Sequence, residues 1–110
     1  MKYSFFLRLK VQEEKWMMMG GKHIISWEIR DLITASSGWF IIHQDDVKLA
    51  TELIPILQKG ILELTQFKHK YNIYEALYGF GTIESVLKFY KGLLNDCLQY
   101  PYTELYGCVD

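Results

Sequence analysis

A chain of 110 residues, half of them hydrophobic and 15% aromatic, is too apolar to stay disordered and long enough to fold around one core without staples. Twelve basic residues against thirteen acidic ones leave a formal charge of −1, which gives no basic footprint for direct nucleic-acid binding. Two cysteines, Cys97 and Cys108, are fewer than a secreted disulfide scaffold of this length carries, and no run approaches the roughly 18 apolar residues of a membrane helix. The opening MKYSFFLRLKV is broken by Arg8 and Lys10 before it can read as a signal peptide. These bounds point to one cytoplasmic, non-membrane domain over 1–110.

Tyr3 to Val11 alternates, with Tyr3, Phe5, Leu7, Leu9 and Val11 on one side, and this period of two predicts a half-buried strand over 3–11. Gln12 to Lys22 reads as a connection: three charges, then Trp16, three methionines and the pair Gly20-Gly21, which permits a turn. Methionines fill irregular gaps, so Met17 to Met19 suit a lid over the core; they also suit an adaptable contact surface.

His23 to Ser37 fits two patterns. Ile25, Trp27 and Ile29 alternate and favour a strand over 23–30. Ile25, Ile29, Leu32, Ile33 and Ser36 also fit helical spacing, with Gly38 as a stop. The run Trp39 to His43 predicts a short buried strand over 38–43.

The stretch from Asp46 to Lys68 carries apolar residues three or four apart, which predicts a long amphipathic helix of roughly 33 Å. Asp45 or Asp46 can cap it. Pro55 lacks the N–H the ladder needs and predicts a kink, and Gly60 weakens the helix further. Thr82 then caps a second helix over 82–99, whose stripe of Ile83, Val86, Leu87, Tyr90, Leu93, Leu94, Cys97 and Leu98 is unbroken. Lys88, Lys91, Asn95 and Asp96 fall on its polar side, and Pro101 prevents continuation. The aromatic tail from Tyr100 packs back onto the domain. Together these pieces predict an α+β two-layer sandwich: a three-stranded, mainly antiparallel sheet (3–11, 23–30, 38–43) covered on one face by two long helices (46–68, 82–99).

Catalytic, cofactor and metal signatures are missing from the chain. His23, His43 and His69 lack the spacing of metal ligands. Cys97 lies on an apolar stripe, as a core residue does, and Cys108 has no base near it in sequence. Gly79-Phe80-Gly81-Thr82 is too short a match for a phosphate loop and suits a turn with a helix cap.

An excess of aromatic residues remains, with eight tyrosines among them. Tyrosine combines contact area with a polar tip, so it suits interfaces as well as the ends of a small core. The expected function is therefore non-enzymatic protein binding. Its most concrete form is an immunity- or inhibitor-type protein that neutralises a toxin or nuclease by covering its active or substrate-binding surface. The expected contact residues flank the last helix: Tyr71, Tyr74, Glu75, Tyr78, Tyr102, Glu104 and Tyr106. The acids Glu75, Glu104 and Asp110 suit a basic toxin or nuclease domain as partner, and a homodimer is a second form. The alternative is a small ligand-binding protein or enzyme with a pocket between sheet and helices near His43, Trp39 and Trp16.

Overall fold

A computed structural model describes residues 2–39, 49–78 and 82–109, with the backbone alone over 76–78. Among them, strands β1 (Lys2–Gln12), β2 (Lys15–Ser26) and β3 (Glu104–Val109) form an antiparallel sheet in the order β2-β1-β3. The helices are α1 (Arg30–Ser37), α2 (Ala50–Gln66), α3 (Asn72–Tyr78) and α4 (Ile83–Gln99), with short 3-10 turns at Trp27–Ile29 and Lys68–Tyr71. The fold is the expected α+β sandwich. Helix α4 lies on the inner face of β1 and β2, and α2 packs along α4 and α1.

The alternation of β1 is realised in its first half, where Tyr3, Phe5 and Leu7 face the helices and are buried, whereas Val11 at the far end is exposed and Ser4, on the opposite side, is buried as well. Phe5, Trp39 and Phe89 form an aromatic cluster with centroids 5.2 to 6.3 Å apart, and Tyr3 stacks on Trp27 at 4.7 Å. Tyr90 crosses from α4 to α1, where its hydroxyl meets Ser36 Oγ at 2.7 Å and donates to the Ile33 carbonyl at 3.2 Å. Burial pushes that hydroxyl's pKa up to about 12. Leu53, Leu57 and Leu64 of α2 and Val86 and Leu93 of α4 are fully buried, each stabilising by roughly 1.5–3 kcal/mol relative to exposure.

Several boundaries differ from expectation. The stretch 12–22 is not a connection: the hairpin turns at Glu13-Glu14, Glu14 takes a φ of 63°, and β2 is already paired from Lys15. Gly20 and Gly21 sit at a bulge, between the pairs Phe5↔His23 and Leu7↔Met19. Strand β2 stops at Ser26, before the 30 expected, and Trp27–Ile29 winds into α1. There the helical spacing prevails, because it buries Ile29, Leu32 and Ile33 together, and Gly38 in a left-handed conformation (φ 78°) closes the helix. The strand expected over 38–43 is not seen at Gly38 or Trp39, and 40–43 lie outside the described residues. The third strand comes instead from the tail, where β3 pairs with Tyr3 to Arg8.

Helix α2 is described from Ala50, so the expected capping residues Asp45 and Asp46 lie outside the description. Its start is anchored to the tail: the Ala50 N–H donates to the Thr103 carbonyl at 2.9 Å, and Leu49 bridges to Glu104. The helix passes the exposed Pro55 without a break. Gly60 has a positive reason to be small, since a Cβ there would stand 2.4 Å from the Tyr90 ring. The start of α4 follows the sequence: Thr82 Oγ1 accepts from the Ser85 N–H, and Ser85 Oγ accepts from the Thr82 N–H.

Candidate functional site

Two features of the molecule exceed what folding requires. The first locks the base of the hairpin to α4. His23 Nε2 and Asp96 Oδ2 are 2.7 Å apart, and the same oxygen accepts the Gly21 N–H at 3.0 Å. Gly20, at φ 78°, permits the approach twice over: its conformation suits glycine, and a Cβ would lie 2.5 Å from the Asp96 carboxyl. The His23 ring lies over Gly92, with Cε1 and Nδ1 each 3.1 Å from where a Cβ would stand. Asp96 is therefore buried at 8% exposure, a correction to its expected place on the polar side of α4. A buried carboxylate must be hydrogen-bonded, and His23 and Gly21 do this from 73 and 75 residues away. The two glycines before His23 were the available signal.

The second feature is the outer face of the sheet. Alternation turns Ser4, Phe6, Arg8 and Lys10 away from the helices, and register sets Ile24, Met18 and Trp16 beside them on β2, with Tyr106 and Glu104 on β3. The Arg8 guanidinium lies between two rings, 3.8 Å from the Trp16 centroid and 4.3 Å from that of Tyr106. These are its diagonal neighbours, one on each flanking strand. Phe6 packs on Tyr106 at 5.4 Å, and Lys10 Nζ lies 5.8 Å from Trp16. Met18 is 52% exposed, Ile24 53%, Trp16 40% and Tyr106 37%. Beyond the Arg8↔Glu104 pair β3 no longer flanks β1, so the hairpin projects as a two-stranded ribbon with Val11 and Met17 exposed on its other side.

The residues expected at a contact surface fall into different surroundings. Tyr71 is buried, and its hydroxyl donates to Glu63 Oε1 at 2.6 Å. Burial first, then Glu63, raises its pKa to about 12, while the same hydrogen bond, followed by Lys70, lowers that of Glu63. Tyr74 is half-buried and stacks on Tyr71, and Glu75 accepts the Ile83 N–H at the start of α4. The Tyr78 side chain lies outside the description. Tyr102 is 59% exposed and packs edge-on to Tyr100. Tyr106 and Glu104 belong to the outer sheet face and so join Arg8 and Trp16, which the sequence did not single out for that role. Asp110 and His43 lie outside the described residues. Trp39 is in the core and Trp16 on the outer face, so the pocket expected to include both is not formed by them.

Among the described residues no group of three or more His, Cys, Asp and Glu side chains gathers as a metal would require, and no helix is long and apolar enough to cross a membrane. Cys97 is buried, and burial followed by the neighbouring Asp96 charge pushes its thiol up to about 12. Cys108 is half-buried on β3 opposite Ser4. Fold and surface thus define a two-layer α+β domain whose sheet presents a partly exposed aromatic–arginine face among the described residues. Comparison with protein-family models, curated proteins and solved structures found no match to this chain.

Proposed function

We propose that the chain is a protein-binding domain, and that its contact surface is the outer sheet face centred on Arg8, Trp16 and Tyr106. One observation carries the reading: an arginine clamped between two rings in the middle of a partly exposed apolar face. Tryptophan, tyrosine and arginine are the residue types that dominate binding energy at interfaces. The clamp holds a side chain that otherwise loses about 2 kcal/mol of rotamer freedom on being fixed, so that cost falls on folding rather than on binding. Met18 and Ile24 extend the face with apolar area, and Met18 adapts to the shape it meets.

Charge indicates the chemistry of the partner. Arg8 lies on the central strand of the face, Lys10 on the ribbon beyond it, and Glu104 beside Arg8 on β3. A partner offering a carboxylate to the Arg8 fork, ringed by apolar side chains, is complementary. The basic partner suggested by the sequence relied on Glu75, which accepts the Ile83 N–H, on Glu104, which stands directly across from Arg8, and on Asp110, which lies outside the described residues. In its narrower form the proposal remains an inhibitor that covers the working surface of a toxin or nuclease, now one that presents acids to Arg8.

The test is co-purification from the native host, with the chain as bait, followed by light scattering of what is recovered. A stoichiometric complex lost in Met18→Glu supports the reading. A monodisperse, partner-free monomer recovered every time opposes it, and a self-dimer lost in Met18→Glu assigns the face to a second copy.

A further inference from the structure

The groove between β2 and the exposed flank of α4 adjoins the protein-binding face at Ile24 and otherwise lies on the α4 side of the sheet, and its chemistry points to a ligand. It encloses about 400 Å³, the scale of a metabolite site, and is lined by Lys22, His23 and Ile24 on one wall and by Ser85, Lys88 and Gly92 on the other. A second groove continues along the same helix past Lys91, sharing Lys88 and Gly92, and Glu84 stands along it. Two lysines therefore line one space from different elements, with a third, Lys91, one turn further along α4. The acid nearest to His23, Asp96, is committed to His23 and the Gly21 N–H.

We propose that this groove binds a small organic phosphate. Lysine binds phosphate as a point charge, and a phosphate monoester offers three acceptor oxygens and a charge of about −1.5 to −2 at neutral pH. Lys22 and Lys88 supply the opposing charge, and the Ser85 hydroxyl a polar edge. His23, held by Asp96, adds a ring fixed in orientation. Ile24, 53% exposed, offers the organic part an apolar wall. Because Gly20 and Gly92 let His23 and β2 close on α4, the backbones that carry the two exposed lysines are held together by the His23–Asp96 lock.

The test is an NMR titration of the labelled full chain with inorganic phosphate, glucose 6-phosphate and adenosine monophosphate, with sodium sulfate as the control anion. The expected result is saturable shifts confined to Gly21, Lys22, Lys88 and Gly92, with at least one organic phosphate binding more tightly than inorganic phosphate and sulfate. Lys22→Gln with Lys88→Gln should weaken that binding by about 10- to 100-fold while the melting temperature holds. Met18→Glu, on the other surface, should leave it unchanged. Shifts that fail to saturate, that sulfate reproduces at equal strength, or that survive the double substitution would overturn the proposal.

Discussion

Glu14 is the one non-glycine residue with positive φ among those described, at 63°, and it turns the hairpin between Gln12 and Lys15. A side chain in that region costs roughly 1 kcal/mol or more, which glycine avoids at some expense in chain entropy. Glu14→Gly should therefore raise unfolding free energy by about 0.5–1 kcal/mol, read from denaturant midpoints at unchanged slope. At Gly20 the sign reverses. Gly20→Ala combines positive φ with a Cβ pressed on the Asp96 carboxyl, and should cost about 2 kcal/mol or more. A loss within about 0.5 kcal/mol would mean that the hairpin is not locked to α4 as described. Thiol chemistry gives a third check. Cys97, buried and held protonated, should resist a thiol reagent at pH 8 in the native protein and react only on unfolding, whereas Cys108 is the accessible one.

Helix α4 and the elements it gathers set the pH limits of the fold. Tyr90 and Tyr71 both have hydroxyls raised to about 12, so the native state favours their neutral forms. That stability is fully present below pH 10, the ordinary tyrosine value, and is lost as pH rises towards 12. For Tyr90 the loss amounts to about 2–3 kcal/mol. Alkaline denaturation curves should show it, and Tyr90→Phe should flatten the decline. Glu63 acts at the other end: its lowered pKa adds stability above about pH 4.5 that disappears as pH falls below it, and Glu63→Gln should remove this component. The long elements were legible in sequence because their periods are long. The Tyr3–Val11 alternation and the α4 stripe each repeat often enough to prevail over local exceptions. Strand β2 was less legible, since Glu13-Glu14 carries no turn signature and Gly20-Gly21 imitates one. Strand β3 has only six residues, with Gly107 interrupting its apolar side, so partner strand β1 rather than its own pattern makes it a strand. The His23–Asp96 lock was out of reach, because its two halves lie 73 residues apart and each looks ordinary alone.

At the scale of the whole molecule, the sheet has two unlike faces. The inner one is sealed by α4 and an aromatic cluster, which uses many of the rings that composition made conspicuous. The outer one has an arginine flanked by two rings and leaves Met18 and Ile24 more than half exposed. Exposed apolar side chains in one contiguous patch mark an interaction surface more reliably than scattered ones do. The contact residues expected from sequence are thus divided: Tyr106 and Glu104 lie on this face, Tyr71 serves the core, and Tyr102 lies apart from both. The most direct measurement is the affinity of the recovered partner for Trp16→Ala, Met18→Glu and Tyr106→Ala, set beside Tyr102→Ala, all first shown to be folded. The account predicts a loss of about 1–3 kcal/mol in binding for each of the first three and almost none for Tyr102→Ala. Equal binding by the first three, or a loss confined to Tyr102→Ala, would contradict it.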